Sequence, residues 1–447
     1  MPQKKGGVRQ AGGADIVILD DADLGFRDTP EAWPFEKGSR KKPSWIVLKM
    51  ARPIAQGPLW EYLCRRHSNR FIVVMTVNDL RLTEVHISRD LSWERTAQDL
   101  YWELTHNPRV NGLSQCAHVL VSLGISGVFL LSRIKTRARK KQNAAAHKCT
   151  LLFDPAEIED AWTQKYPQYM IGYTSCLTAA VAGRLMRDIK SPDLGSAAQV
   201  GLQAIRTLHL RGYDNPVGSA ECAQLAFPLT GTAEVLTVDT APFAEVEVQN
   251  PVRFLSAHSK KRQEYSDVSY WTILHERCRG ELEYLAREIV LSGTETALQG
   301  VPLGKFGHLI TADRSEIESL RSIANLMREY CLAPQKRPLS VAVFGPPGAG
   351  KSFGVTQVAK AAYPGAIEIK SFNLSQFAGP EDLLDALHQV RDIGLKAHVP
   401  LVFWDEFDTS LDEQPLGWLR YFLAPMQDGE FQEGQITHPI GKSLVSG

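Results

Sequence analysis

The feature that most constrains this chain is an apolar segment followed by a glycine-rich loop and then a helical pattern. Residues 339–344 predict a short strand, and the loop at 345–352 reads GPPGAGKS. Apolar Val355, Val358 and Ala362 then recur at helical spacing. Glycines let the backbone turn tightly enough for consecutive N–H groups to point inwards, and the following helix N-terminus adds partial positive charge. This order of strand, loop and helix predicts a phosphate-binding loop.

Each residue of the loop has a predicted role in binding ATP and Mg²⁺. The predicted nucleotide-binding residues are Gly345, Pro346, Pro347, Gly348, Ala349, Gly350, Lys351 and Ser352. Lys351 is expected to reach the β- and γ-phosphates, and the Ser352 hydroxyl is expected to bind Mg²⁺. The loop therefore predicts both a ligand and its metal ion.

A second motif completes the predicted site. Residues 401–404 are apolar and predict a buried strand, and Asp405 and Glu406 follow directly. Ligands of open α/β sheets bind at the carboxyl ends of strands, which is where these two carboxylates fall. Asp405 is predicted to hold Mg²⁺ directly or through water. Glu406 is predicted to act as the general base, with Lys351 as the second catalytic residue.

The segment between the two motifs predicts a further strand and helix. The strand is expected near residues 366–371. The helix has one apolar face, formed by Leu383, Leu384, Leu387 and Val390. Alternating strands and helices of this kind predict an α/β core around the site.

From residue 339 to about 447, the sequence GPPGAGKS with WDE closely resembles the AAA+ ATPases. The resemblance implies ATP hydrolysis coupled to remodelling of a protein partner, usually by a homo-oligomeric ring. It also implies a polar sensor residue, an arginine finger and a helical lid, none of which can be located in the sequence. The sequence ends about 40 residues after Glu406, so we expect an incomplete ATPase core that binds ATP but turns it over poorly.

The N-terminal part predicts an α/β domain. Near-continuous apolar runs predict strands at residues 15–19, 45–48, 71–77, 118–123, 128–131 and 150–153. Helical patterns occupy residues 93–104, 175–189 and 195–210. Apolar strands separated by helices predict a mostly parallel sheet that is covered on both faces.

Residues 15–213 more weakly resemble the ribokinase-like (PfkB) carbohydrate kinases. The resemblance is carried by VNDLR within 70–81, VSLGISGVFLL within 116–131 and IGYTSCLTAAVAGRLM at 171–186. The last segment aligns with the family's GAGD motif. Gly172 and Thr174 stand at its two glycine positions, and Ser175 stands at the position of the aspartate base. A serine without a basic partner cannot act as a base at neutral pH. We therefore expect a ligand sensor or scaffold in place of a kinase.

The domain plan has four parts: a flexible tail at 1–13, a ribokinase-like α/β domain at 14–245, a helical connector at 246–335 and the ATPase core at 336–447. Two apolar stripes predict buried helix faces in the connector: Trp271, Leu274, Cys278, Leu282, Leu285 and Ile289, and then Ile317, Leu320, Ala324 and Met327. Asp313 with Glu316 predicts a capping box at the start of the second helix.

The composition excludes several classes of protein. Lys+Arg and Asp+Glu are both 50, so no net charge attracts nucleic acid or an anionic membrane. The seven cysteines form no CxxC pair, which favours a reducing cytoplasm over a disulfide framework. The longest apolar run, at 119–131, is too short to span a bilayer. Asp20, Asp21 and Asp23 are interpreted as a solvated loop in preference to a metal site.

Three functions stay open at this point. The first is a cytoplasmic ATPase that acts on an unknown protein target, with an N-terminal domain that senses a small molecule or serves as scaffold. The second is a sugar or nucleoside kinase with an accessory nucleotide-binding domain. The third is a nucleotide-binding interaction protein without turnover. Glu406 at the ATPase site and Ser175 at the kinase base position favour the first.

Overall fold

The computed structural model describes residues 14–21, 25–35, 42–134, 146–159, 170–213, 227–235, 243–249, 271–278, 282–346, 348–363 and 365–446. The predicted tail at 1–13 and Asp23 lie outside these residues. The chain forms two compact units, Met1–Pro302 and Leu303–Gly447. The boundary falls inside the segment predicted as a helical connector. No helix of the described residues combines the length and apolar character needed to cross a membrane.

The first unit is a seven-stranded sheet with helices on both faces. Its strands lie in chain order: β1 Ile16–Asp21, β2 Trp45–Met50, β3 Phe71–Thr76, β4 His118–Leu123, β5 Gly127–Ile134, β6 Ala146–Phe153 and β7 Ala244–Glu247. The helices that cover it are α1 Pro58–His67, α2 Val77–Arg81, α3 Trp93–His106, α4 Tyr173–Arg187 and α5 Leu194–Arg211. All six strands and all three helices predicted from the sequence are present, with boundaries shifted by a few residues.

Alternating side chains explain why the central strands are apolar throughout. Phe71, Val73 and Met75 of β3 face a core that includes residues of α1 and α3. Ile72 and Val74 face a second core that includes residues of α4 and α5. A strand that is buried on both faces has no solvent-exposed face. Its sequence therefore lacks the alternation of apolar and polar residues that is typical of a sheet with one face in solvent.

The prediction of a mostly parallel sheet is wrong for half of this sheet. Strands β1 to β4 are parallel, whereas β4 to β7 pair antiparallel. Only residues 124–126 separate β4 from β5, with Gly124 at a φ of 63°. So short a turn can join only antiparallel strands, because a parallel pair needs a crossover of a dozen or more residues. Burial on both faces gives the same apolar sequence in either direction.

The second unit is built on a four-stranded parallel sheet. Its strands are β10 Leu339–Val341, β11 Ile367–Asn373, β12 Val399–Asp405 and β15 Leu444–Ser446. Their spatial order is β10, β15, β12, β11, so the last strand in sequence lies between the first and the third. Two hairpins accompany it: β8 Gly304–Phe306 with β9 Leu309–Thr311, and β13 Glu430–Glu433 with β14 Ile436–Pro439.

Helices cover both faces of this sheet as well. The helices of the unit are α10 Arg314–Leu332, α11 Lys351–Ala362, α12 Pro380–Leu395 and α13 Leu419–Gln427. Val402 and Trp404 of β12 share a core with residues of α12, whereas Leu401 and Phe403 share one with residues of α10 and α11. The apolar faces predicted for α10 and α12 are confirmed.

Tyr330 of α10 fixes the segments that lead into β10 and β15. Its hydroxyl donates to the Arg337 carbonyl at 2.6 Å and accepts from the Ser443 N–H at 3.0 Å. Burial raises the pKa of Tyr330 to about 12, so the hydroxyl stays protonated and can donate. The Leu339 N–H donates to the Ser443 carbonyl at 2.9 Å. These bonds place β15 beside β10.

The other predicted stripe is only partly buried. The stripe that begins at Trp271 divides between two helices, α7 Ile273–Cys278 and α8 Leu282–Ser292. Two short helices flank them in the chain, α6 Leu229–Val235 before and α9 Thr294–Ala297 after. Trp271 and Ile273 are buried in the first core, but no residue of α8 is buried. Leu282 is 41% exposed, so the buried face predicted through α8 is wrong. Helical spacing showed which residues share a face, but it did not show whether a neighbour covers that face.

Asp313 caps α10 as predicted. Its Oδ1 accepts from the Glu316 N–H at 2.8 Å, which satisfies one of the free N–H groups of the first turn. The Asp313 N–H itself donates to the Thr311 hydroxyl at 3.2 Å. In a capping box the Asp313 N–H would donate to the Glu316 side chain, but here it donates to Thr311.

Candidate nucleotide site

Residues 342–350 connect β10 to α11, so the predicted strand ends three residues early, at Val341, and Lys351 and Ser352 lie in the first turn of the helix. Gly348 and Gly350 have φ values of 79° and 74°, in the left-handed region that favours glycine. Gly350 is the N-cap of α11, and no side chain of the described residues caps this helix end. The first N–H groups of α11 are therefore available to a ligand, together with the partial positive charge of the helix N-terminus. Pro347 lies outside the described residues.

The Lys351 side chain is directed back towards the start of the loop. Its ammonium group donates to the Gly345 carbonyl at 2.8 Å and lies 3.5 Å from the Pro346 carbonyl. The side chain packs against Gly345, with Lys351 Cδ 3.6 Å from the point where a Cβ on Gly345 would stand. The cation is thus held within the curve of the loop.

The two predicted carboxylates stand at the carboxyl end of β12. Asp405 is exposed, and its Oδ2 accepts from the Ser371 hydroxyl of β11 at 2.6 Å. Glu406 is also exposed and has a φ of 56°, an uncommon conformation for a residue other than glycine. Such conformations cluster at functional sites, because they need support from the surrounding structure.

Gly345, Lys351, Asp405 and Glu406 line one cavity of about 1010 Å³, whereas Pro346, Gly348, Ala349 and Gly350 of the predicted loop do not line it. The carboxyl ends of all four parallel strands contribute to it. Its polar lining includes Gly345, Lys351, Ser352, Asn373, Asp405, Glu406, Asp408 and Ser446. Lys351 brings positive charge from the loop, and the carboxylates bring negative charge from the end of β12. A polyphosphate that carries a divalent cation matches this division of charge.

The predicted residues fit a Mg²⁺ ion by their donor atoms. Ser352 and Asp405 offer a hydroxyl and a carboxylate, which are the oxygen ligands that Mg²⁺ prefers. Both residues line the same cavity. Asp405 is oriented by its hydrogen bond from Ser371, as carboxylates that bind metals usually are.

Several polar residues of this region were missed in the sequence, among them Asp408, which lines the cavity two residues after Glu406. Ser371 and Asn373 stand on β11, and Asn373 pairs in register with Asp405. Ser446 ends β15 and lines the cavity. Polar residues at the end of the strand predicted near 366–371 could have indicated Ser371 and Asn373. Ser446 gave no such signal, because its place in the cavity depends on β15 inserting between β10 and β12.

The kinase-like segment of the first unit has a packing reason for its glycine. Gly172 is the N-cap of α4 at a φ of 114°, and a Cβ there would approach the Phe227 ring to 2.9 Å. Ser175 lies half-buried in the first turn of α4. Asp20 pairs with Lys49 at 2.9 Å and Asp21 is buried against Arg27, so these two carboxylates have protein partners.

Comparison with models of protein families gives no match to this chain, and comparison with curated proteins gives none either. The interpretation of the site therefore depends on its own residues: a glycine-rich loop at a helix N-terminus that faces two carboxylates across one cavity.

Proposed function

We propose that residues 303–447 form a nucleotide-binding unit that binds Mg-ATP and hydrolyses it to ADP and phosphate. One observation carries the proposal: Lys351 at the start of α11 and Asp405 with Glu406 at the end of β12 line the same cavity. These residues lie far apart in sequence, and each has the residue type that phosphoryl transfer requires. Positive charge, metal ligands and a general base are thus available around one polyphosphate.

In this proposal the loop binds the phosphates first. The N–H groups of the loop and of the first turn of α11 bind phosphate oxygens, and Lys351 exchanges its two carbonyl partners for the β- and γ-phosphates. Ser352 and Asp405 hold Mg²⁺, which neutralises charge on the phosphates. Glu406 accepts a proton from the water that attacks the γ-phosphorus, and ADP leaves from the opposite side.

We propose further that hydrolysis is coupled to remodelling of a protein partner, in a homo-oligomer, and that the first unit serves as a ligand sensor or scaffold. The scaffold role is supported by the carboxyl ends of β1 and β2. Arg27 there donates to the carbonyls of Ala51, Arg52 and Pro53, and it pairs with Asp21. Polar groups that bind one another in this way have little capacity left for a substrate.

The experiment that tests nucleotide binding is titration of the full chain with a fluorescent ATP analogue in the presence of Mg²⁺. Lys351→Ala removes the cation that faces the phosphates, and we expect it to weaken binding at least tenfold, about 1.4 kcal/mol or more. Lys360→Ala is a matched control, because Lys360 is exposed on the same helix and does not line the cavity. Equal affinities for Lys351→Ala and the wild type would show that the nucleotide binds elsewhere.

A further inference from the structure

A second cluster of ligand-type side chains lies in residues 303–447, apart from the nucleotide cavity. His388 on α12, Glu433 at the end of β13 and His438 on β14 offer two imidazoles and one carboxylate. Their ligand atoms all lie within 4.8 Å of one another, and none of the three residues lines the nucleotide cavity. We propose that these three side chains form a binding site for Zn²⁺.

The two distances from Glu433 to the histidines are close to those of tetrahedral coordination. Glu433 Oε2 lies 3.0 Å from His388 Nε2 and 3.4 Å from His438 Nε2. Zinc binds imidazole nitrogen and carboxylate oxygen at about 2.0–2.2 Å, which separates neighbouring tetrahedral ligands by about 3.3–3.5 Å. An ion can therefore contact all three groups after small side-chain movements. Two imidazoles and one carboxylate select zinc over Mg²⁺ or Ca²⁺, which prefer oxygen ligands.

The two imidazoles are held in place by packing. Phe431, which is buried, lies beneath them, with ring centroids 4.8 Å from His388 and 5.3 Å from His438. The two histidine rings are 5.0 Å apart. Glu433 is more open, with 56% of its side chain exposed, so a hydrated ion can reach the cluster from solvent and displace its water. The fourth coordination position stays available to a water molecule, as in three-ligand zinc sites.

One nitrogen in the cluster makes no hydrogen bond. His438 Nε2 is shielded from solvent and has no hydrogen-bond partner among the described residues. Glu433 Oε2 is only 3.4 Å away but is not aligned for a hydrogen bond. Buried polar groups are nearly always satisfied, so an unsatisfied nitrogen that faces a carboxylate and a second imidazole points to a ligand.

Arg391 competes with a metal ion for His438, and this competition gives the proposal a second test. Its Nη1 donates to His438 Nδ1 at 3.1 Å, so Nδ1 is an acceptor and the proton of the neutral ring is on Nε2. Zinc needs the lone pair at Nε2, so binding moves the proton to Nδ1 and displaces Arg391. The guanidinium has a place to go, because Nη2 also contacts Asp392 Oδ1 at 3.3 Å and 28% of the side chain is exposed.

The test is calorimetric titration of the full chain with Zn²⁺, without nucleotide. We expect one site at this cluster, weakened at least about tenfold by His388→Gln and by Glu433→Gln. Glu433→Gln changes an exposed side chain, so its result stands even if a histidine variant folds poorly. His398→Gln is the matched control, because His398 pairs with Glu368 at 3.3 Å but belongs to no three-residue cluster among the described residues. Wild-type affinity in both His388→Gln and Glu433→Gln would overturn the proposal.

Arg391→Met tests the competition. It removes the donor and the positive charge, and we expect several-fold tighter Zn²⁺ binding, whereas unchanged or weaker binding would contradict His438 Nε2 as a ligand. Titration with Co²⁺ gives a second readout, because thiolate ligands produce a charge-transfer band that nitrogen and oxygen ligands do not. A thiolate band would overturn the assignment to this cluster. Asp405→Asn should bind Zn²⁺ like the wild type, because Asp405 belongs to the proposed nucleotide site and not to this cluster, and this result separates the two proposals.

Discussion

The two sheets of this protein differ in the surroundings of the carboxylates at the ends of their parallel strands. In the first unit Asp21, at the end of β1, is 5% exposed and paired with the buried Arg27. In the second unit Asp405, at the end of β12, is exposed, and it lines a cavity with Lys351. Both sheets are parallel at these positions and both are covered by helices. The Asp21 carboxylate thus has a buried partner within the protein, whereas the Asp405 carboxylate lies at the edge of a cavity.

Strand order explains the difference. The parallel strands of the first sheet follow one another as β1, β2, β3 and β4, so every crossover moves the chain in the same direction. In the second sheet the order β10, β15, β12, β11 reverses direction. Crevices form at such reversals, because the connections on either side of the reversal diverge. Carboxylates at the end of a strand therefore indicate a binding site only when the strand order is known as well.

The largest effect that this comparison predicts is on catalysis at Glu406. Glu406→Gln keeps the size of the side chain but removes the base, and we expect hydrolysis to fall by about 10²–10⁴ while ATP affinity is retained. Release of phosphate from wild type and variant under matched Mg-ATP saturation measures this. Glu413→Gln is the control, because Glu413 is another exposed glutamate with positive φ, at 65°, and it does not line the cavity. Equal rates for Glu406→Gln and the wild type would mean that the water is activated elsewhere.

The next effect concerns the stability of the first unit. Arg27→Met removes the guanidinium beside buried Asp21, and we expect the free energy of unfolding of this unit to fall by about 3–5 kcal/mol. Urea unfolding with and without Mg-ATP measures it, because the nucleotide should shift only the transition of the second unit. Arg65→Met is the control, since Arg65 is 79% exposed and pairs with exposed Glu61. Weaker ATP binding in Arg27→Met would contradict a purely structural role.

A smaller effect is expected at Ser371. Its hydroxyl orients the Asp405 carboxylate, so Ser371→Ala should raise the Mg²⁺ concentration needed for half-maximal ATP binding by about tenfold. Titration of Mg²⁺ at fixed nucleotide measures this shift. Ser375→Ala is matched to it, because the Ser375 hydroxyl donates to Asn373 and not to Asp405. If both variants need the same Mg²⁺ concentration as the wild type, Asp405 does not depend on Ser371.

The sequence was most informative where a local pattern determines a local structure. The loop at 345–352, the strand before Asp405 and the cap at Asp313 all depend on neighbours within a few residues, and each is found where it was expected. The apolar strands of the first unit were recognised for the same reason. Their direction was not, because burial on both faces removes the alternation that could indicate it.

Features that depend on distant residues could not be predicted. Ser371 acquires its role only when β11 pairs with β12, which brings its hydroxyl to Asp405. The proposed zinc site joins His388 to a hairpin some 45 residues later in the chain. The predicted buried face of α8 is wrong for the converse reason, since the apolar spacing is present but no described residue of that helix is buried. Which surfaces meet is a property of the whole fold.

The central place of β15 has a consequence for the order of assembly. During synthesis β10 is made long before residues 444–446, yet β10 and β12 are joined only through β15. At about 5–20 residues per second, β10 waits roughly 5–20 s for its neighbour. Contacts so distant in sequence also slow folding, because a long loop must close before they form. The first unit, with its strands in chain order, can fold as it emerges, while the cavity lined by Lys351 and Asp405 cannot form until β15 has been made.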